Sequence, residues 1–294
     1  MFGYHVARTS HIQDNKKSKT MLEAIISDYK VLPTNCIQIF VQGPRNSKMI
    51  KMDYIDIKNY CFKNNINLYV HSSYITVGIF NKLNNSILIL EEQLKVCDIL
   101  GAKGFVIHIS NKTPSEIIKI FDWIIPVLKK YKTPFILEQP AKKPSNGTYE
   151  TPAKINKLTK MINKKYDNWG WCIDLCHLWS AGIKTNEYTV LQKWLNDLKY
   201  PKKILLFHLN GGSTNIFNTG RDKHILVLSK NFNNLLTDSA ITKESITCII
   251  NFAKSYKLDC ILEINRHKSD NMNGAKKSSF LDKVIKTFDL LKKI

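Results

Sequence analysis

The stretch SILILEEQLKVCDILGAKGFVIHI, residues 86–109, holds the unit from which the rest of the chain can be read. Its first part carries apolar residues three and four positions apart and closes on a Gly, as an amphipathic helix does. Its last part, KGFVIHI (103–109), is short, apolar and β-branched without alternation. A strand covered on both faces reads that way. One helix followed by one buried strand, ending in a His, is therefore the local prediction.

Seven further runs of the same kind flank it: FGYHV (2–6), CIQIFV (36–41), NLYVHS (67–72), PFILE (134–138), GWCID (170–174), KILLFHLN (203–210) and DCILEI (259–264). Helical periodicity fills the intervals over 20–30, 53–65, 115–131, 151–165, 188–198 and 242–257, and again over 278–293. Buried strands separated by single helices imply a parallel sheet with covered faces. Eight such units in 294 residues predict an α/β fold of the (β/α)8 TIM-barrel type. An open doubly wound sheet would normally place a Gly-rich phosphate loop after its first strand, and neither G-x-G-x-x-G nor a P-loop is present. Length alone would allow two smaller domains, but no low-complexity linker divides the chain, so residues 1–294 are expected to form one domain. The segment 210–241, with NGGSTNIFNTGRDKH and the apolar run ILVLS, does not fit the repeat.

Polar residues mark the ends of these runs. His71, His108, Glu138, Asp174, His208 and Glu263 close the third to eighth strands, and His177, Asp222 and His224 lie just beyond two of them. A closed barrel carries its chemistry at the carboxyl ends of its strands, so these nine side chains are expected at one mouth. Five of the eight His of the chain are in this set. Four carboxylates buried together would push one another's pKa upward, a conflict that divalent cations remove. Imidazole with carboxylate suits zinc, manganese or iron, and nine donors suffice for two or three ions. Ions that close together clamp an in-line displacement at phosphorus and generate hydroxide at neutral pH.

The formal charge of +20 points the same way, since such a field attracts polyanions and nucleic acid is the commonest. Together these suggest phosphodiester cleavage. Seven scattered Cys, an odd number, fit reduced thiols in a cytosolic or nuclear compartment. Cys172 and Cys176 flank Asp174 in WCIDLCHLWSAG (171–182), yet a single C-x3-C pair is weak evidence for structural zinc, and small buried hydrophobes is the preferred reading. No run reaches the apolar length of a membrane span, and MFGYHVARTS lacks the layout of a signal peptide. A soluble intracellular protein with no membrane partner is expected.

With these residues in hand, the chain resembles the endonuclease IV family of apurinic/apyrimidinic (AP) endonucleases. The resemblance runs through FGYHV, HSSYI (71–75), His108, ILE at Glu138, CIDLCHLWSAG (172–182), FHLN (207–210), RDKH (221–224) and ILE at Glu263. The IFVQGPR stretch and the Lys- and Asn-rich composition are similar to members from large DNA viruses.

The resemblance implies a trinuclear zinc site, with manganese as the other candidate. One ion falls to His71, His108 and Glu138, a second to Glu138, Asp174, His208 and Glu263, and a third to His177, Asp222 and His224. Glu138 is then the bridging carboxylate, and Glu138 and Glu263 are the catalytic carboxylates. The implied substrate is double-stranded DNA with abasic sites, cut 5′ to the lesion to leave a 3′-hydroxyl, with clearing of blocked 3′ ends as a further activity. The enzyme is expected to act as a monomer, within a virion or viral factory if it is viral.

Arg45 and Tyr74 match residues that the family pushes into bent DNA; a solvated loop charge and a ring packed beside His71 are the plainer readings. Departures from the family pattern fall outside the nine donors. HLN is followed by Gly-Gly rather than Asp, Glu138 by Gln-Pro rather than Asn-Thr, and Leu175 replaces a Thr. They place the loop shapes and the hydrogen bonds behind the donors in question. Two other classes compete: a barrel sugar isomerase or epimerase with a two-metal site, and a DNA-binding protein with an inactive one. The extra D-x-H with His177 and the basic charge speak against the former, the complete donor set against the latter.

Overall fold

The computed structural model describes residues 2–8, 18–43, 49–81, 85–145, 147–225, 241–263 and 278–293. Eight parallel strands close into a barrel: β1 (Phe2–Val6), β2 (Cys36–Phe40), β3 (Asn67–His71), β4 (Gly104–His108), β5 (Phe135–Glu138), β6 (Trp169–Asp174), β7 (Ile204–His208) and β10 (Asp259–Leu262). Each strand pairs with its sequence neighbour, and β10 returns to β1 with Gly3 opposite Ile261. The helices are α1 (Met21–Val31), α2 (Tyr54–Lys63), α3 (Ser86–Leu100), α4 (Pro114–Leu128), α5 (Pro152–Ile162), α6 (Leu175–Ser180), α7 (Tyr188–Asn196), α8 (Lys243–Tyr256) and α9 (Ser278–Lys293). All eight expected strands and all eight expected helices are present, with ends moved by a few residues.

Local chemistry sets these boundaries. Thr20 with Glu23 and Thr113 with Glu116 form capping boxes at the starts of α1 and α4, satisfying amide groups that the first helical turn leaves open. Gly101 ends α3 at φ +65°, a left-handed conformation that costs glycine no side-chain clash. It turns the chain back into β4.

The apolar material forms two bodies. The larger packs the outer strand faces against the helices, and the smaller fills the barrel interior with Cys36, Tyr69, Val106, Ile136, Cys172, Leu206 and Ile261. Alternate residues of a strand point to opposite faces. Two positions after each of these interior residues comes Gln38, His71, His108, Glu138, Asp174, His208 or Glu263. One layer of apolar side chains thus floors a polar layer at the carboxyl mouth.

Two features of this mouth were not expected. Helix α6 begins directly after β6, because Asp174 is its N-cap and accepts from the His177 amide at 3.0 Å. In the irregular segment, β8 (Gly211–Gly212) and β9 (His224–Ile225) form an antiparallel ribbon with Gly212 opposite His224. A Cβ on Gly212 would lie 3.0 Å from Trp179 and 3.3 Å from Cys176 Sγ, so glycine lets the ribbon rest on α6. Of the run ILVLS, only Ile225 lies within the described residues.

Candidate metal centre

All nine expected donors converge at the carboxyl mouth. Ligand-type atoms of His71, His108 and Glu138 lie within 4.8 Å of one another, as do those of Glu138, Asp174, His208 and Glu263. Glu138 belongs to both groups, with Oε2 3.0 Å from His71 Nε2 and 3.6 Å from His108 Nε2, and Oε1 3.0 Å from His208 Nδ1. The other three donors meet across α6 and the ribbon. Asp222 Oδ1 is 2.9 Å from His224 Nε2 and 3.4 Å from His177 Nε2. Asp174 Oδ2 joins them, 3.6 Å from His224 and 4.0 Å from His177. The third group therefore abuts the second instead of standing apart.

The carboxylates do not behave as the sequence suggested. Burial pushes Glu138 upward, but the fields of His108 and His208 hold it well below the usual range. Glu263 is likewise held at about 2, with burial opposing and His208 prevailing, and Asp222 is lowered by His177 and His224. The mutual repulsion expected of clustered acids is cancelled because imidazoles stand between them. Those imidazoles respond in kind. Burial opposes their charge, yet Glu138 raises His71, and Asp174 and Asp222 raise His177 well above the usual value and His224 to about 9. His208 is also raised well above it, with burial opposed by the fields of Cys172, Glu263 and Glu138. His108 is the exception among the five, lowered by burial to about 4.

The carboxylates thus favour a positive charge at His71, His177, His208 and His224, and donor atoms that exchange protons for an ion are what a metal site requires. His177 Nε2 is buried and finds no well-aligned hydrogen-bond partner among the described residues, with Asp222 Oδ1 3.4 Å and Asp174 Oδ2 4.0 Å away. The residues fit divalent cations on this ground and on the nitrogen and oxygen character of the donor set.

Four residues outside the nine, Gln38, His5, Asn210 and Gln139, support them. Gln38 on β2 bonds His208, Glu263 and His5. Asn210 Nδ2 donates to Asp174 Oδ2 at 2.6 Å and to Glu263 Oε2 at 3.2 Å, while its Oδ1 accepts from the Glu263 amide at 2.8 Å. Gln139, at one of the positions that departs from the family pattern, accepts His177 Nδ1–H on its carbonyl at 2.8 Å and donates through Nε2 to the Asp174 carbonyl at 2.8 Å. Placement at strand ends or on the inward face was the available signal for all four. Their residue types are not metal donors, or, for His5, the position lies one residue short of the strand end.

The cysteines occupy the packing positions expected of them, Cys172 in the barrel interior and Cys176 under the ribbon, both fully buried. Their sulfurs nevertheless come within 4.8 Å of donor atoms, Cys172 beside Glu138 and His208, and Cys176 beside Asp222 and His224. Tyr74 is half-exposed at the rim and stacks on His108, with ring centroids 5.8 Å apart and planes at 23°, rather than on His71. Arg45 lies outside the described residues.

Comparison with known proteins extends the picture beyond geometry. The family model for the xylose isomerase-like TIM barrel matches residues 32–276. Over 259 residues the chain is 26% identical to a "Probable AP endonuclease" of African swine fever virus, covering 84% of this chain and 85% of the relative. Over 204 residues it is 30% identical to a "Probable endonuclease 4" of Mycoplasma mobile, covering 65% and 71%. The crystal structure of AsfvAP:AG superposes with a TM-score of 0.78 at 24% identity over 99% of both chains, a likeness of fold.

Proposed function

Because the chain belongs to the endonuclease IV family of AP endonucleases, within the xylose isomerase-like TIM barrels, we propose that it is a metal-dependent DNA hydrolase that cuts the phosphodiester 5′ to abasic sites. The observation that carries the reading is the placement of Glu138, whose two oxygens serve two adjoining donor groups. A carboxylate so placed can bridge two cations.

His71, His108 and Glu138 would hold one ion, Glu138, Asp174, His208 and Glu263 a second, and His177, Asp222 and His224 a third. The family resemblance favours zinc, with manganese second, and the nitrogen and oxygen donors accommodate either. Bound there, divalent cations supply Lewis-acid polarisation of a phosphoryl oxygen and a nucleophile at neutral pH. The chain's own part is to orient and to neutralise. Asp174 divides its oxygens, Oδ1 fixing the first turn of α6 and Oδ2 facing the donors, so strand and helix are locked at one angle. Gln139 and Asn210 hold His177 and Glu263 from behind, which limits the wandering of donors that long side chains allow.

Recognition of the lesion falls to the rim. Tyr74 offers a ring surface above His108, and Arg45 is assigned the companion wedge; inserting either costs little where a base is already missing. The charge of +20 supplies the sequence-independent part of DNA affinity. Residues 1–294 act as one monomeric unit with a 3′-hydroxyl product, and trimming of blocked 3′ ends belongs to the same site. All seven cysteines are free, which suits a reducing compartment such as the cytoplasm, the nucleus or a viral factory, and no described helix is long and apolar enough to cross a membrane.

The test is a duplex carrying one abasic analogue, incubated with zinc-loaded protein with and without a chelator. A cut immediately 5′ to the analogue, abolished by chelation and restored by zinc, is the expected result. Uncut DNA with fully loaded protein would overturn the proposal.

A further inference from the structure

Gln38 is fully buried in β2 and is not a metal donor, yet its carboxamide touches two of the nine donors. Its Nε2 donates to Glu263 Oε1 at 2.8 Å and lies 3.2 Å from His5 Nδ1, and its Oε1 lies 3.0 Å from His208 Nε2. We infer that Gln38 is a positioning residue for the proposed second ion: it fixes which atoms of His208 and Glu263 face the cluster and which face away.

The argument is one of donors and acceptors. An ionised carboxylate only accepts hydrogen bonds, so the amide NH2 must face Glu263 and the amide oxygen must face His208. That oxygen accepts only if His208 carries its proton on Nε2. The opposite ring nitrogen, Nδ1, is then the one presented to Glu138 Oε1 at 3.0 Å, Glu263 Oε2 at 3.5 Å and Asp174 Oδ2 at 3.7 Å. Glu263 is divided in the same sense. Oε1 is taken by Gln38, and Oε2 is left toward the Nδ1 atoms of His208 and His224, each 3.5 Å away.

His5 completes the lock. Its Nδ1 can accept the second amide hydrogen only as a neutral ring protonated on Nε2, and a flipped amide would set oxygen against both Glu263 and His5 Nδ1. The ring is wedged against Phe40, with centroids 4.6 Å apart, so it cannot swing away freely. Burial favours the neutral form of His5, as the geometry demands. A single amide therefore sets the tautomer of His208, the outward oxygen of Glu263 and the tautomer of His5.

The inference rests on the metal-dependent reading above, and its test uses zinc and ring protons, not cleavage. Gln38→Met keeps the length and removes every hydrogen bond. Zinc affinity, measured by competition with a chromophoric chelator, should fall about 10- to 100-fold. Nitrogen NMR of the His208 ring should then lose the single Nε2–H form. Gln38→Glu keeps an acceptor for His208 but sets oxygen against Glu263, so the tautomer should survive while zinc still binds more weakly than in the parent.

His5→Phe leaves both Gln38 contacts to the donors in place and should weaken zinc only a few-fold; it serves if the Met variant fails to fold. Zinc affinity within twofold of the parent in the folded Met or Glu variant would overturn the inference alone, as would an Nδ1-protonated His208 in the zinc-loaded parent. A parent chain that binds no zinc would overturn the metal-dependent reading with it.

Discussion

The barrel buries carboxylates at both of its mouths and satisfies them by different means. At the amino end of the strands, Asp259 is fully buried, and its Oδ2 accepts from Asn67 Nδ2 at 2.8 Å, Tyr69 Oη at 2.9 Å and Lys103 Nζ at 3.0 Å. The amide of Asn67 has no proton to give up, and burial holds the Tyr69 phenol well above its usual range, so neither exchanges a proton for an ion. At the carboxyl end, Glu138 is just as buried, but its neighbours are His71, His108 and His208. Each imidazole can give up a proton and turn a lone pair on the same spot. A buried acid among fixed donors is a structural knot, and one among titratable donors is a seat for a cation.

The sharpest way to break this contrast is Glu138→Ala. It should remove the shared ligand of two groups, cut zinc content by more than one ion, and lower cleavage of abasic DNA by roughly three orders of magnitude, the worth of several kcal/mol of Lewis-acid stabilisation. Elemental analysis and a nicking assay read the two effects. Asp259→Ala tests the opposite end. It should cost about 3 kcal/mol in chemical unfolding, because Tyr69 and Lys103 lose a buried partner, while cleavage per folded molecule is unchanged. A cleavage defect there would mean that the two mouths are coupled.

Asp222→Ala combined with His224→Ala should release one zinc of the full complement with the fold intact by circular dichroism; unchanged zinc content would refute the third donor group. The contrast also predicts a pH response. In the metal-free protein His224 is raised from 6.5 to about 9, burial opposing and Asp174 and Asp222 prevailing. Its stabilising contribution is present in full below pH 6.5 and is lost as pH rises through about 9. The melting temperature of metal-free protein should fall across that window. Zinc affinity, measured at constant free zinc, should rise over the same range because the ion displaces that proton. The smallest effect is expected at the rim, where Tyr74→Ala should weaken binding to abasic duplex by about 1–2 kcal/mol and binding to intact duplex by less. Equal losses on both would reduce Tyr74 to a packing ring.

Much of this molecule is visible along the chain because its elements are local. The run KGFVIHI is apolar throughout since β4 is covered on both faces, and the Gly after α3 announces its end by the conformation it adopts. The nine donors were legible for the same reason, being the polar residues that close apolar runs or follow them closely. Helix α6 was not, because its start depends on Asp174 serving as both strand end and cap, and six residues carry too little periodicity to reveal it. Nor was the ribbon, whose two strands are two residues each and owe their pairing to a glycine pressed on Trp179 and Cys176. Reading the carboxylates as mutually repelling failed because charge compensation depends on which groups alternate in space, and the spacing of Glu138, His208 and Asp222 along the chain holds no record of it.

By itself the sequence determined the number of units, the parallel barrel and the donors at its carboxyl mouth, since periodicity and strand-end polarity are properties of neighbours in the chain. The tertiary structure alone decided that Asp174 reaches the third donor group as well as the second, and that Gln38 and His5, on the first two strands, stand behind the last. Barrel closure brings β1 and β2 beside β10 across more than 200 residues of chain, and hydrogen bonds formed over that distance are set by where the strands meet, not by any local pattern.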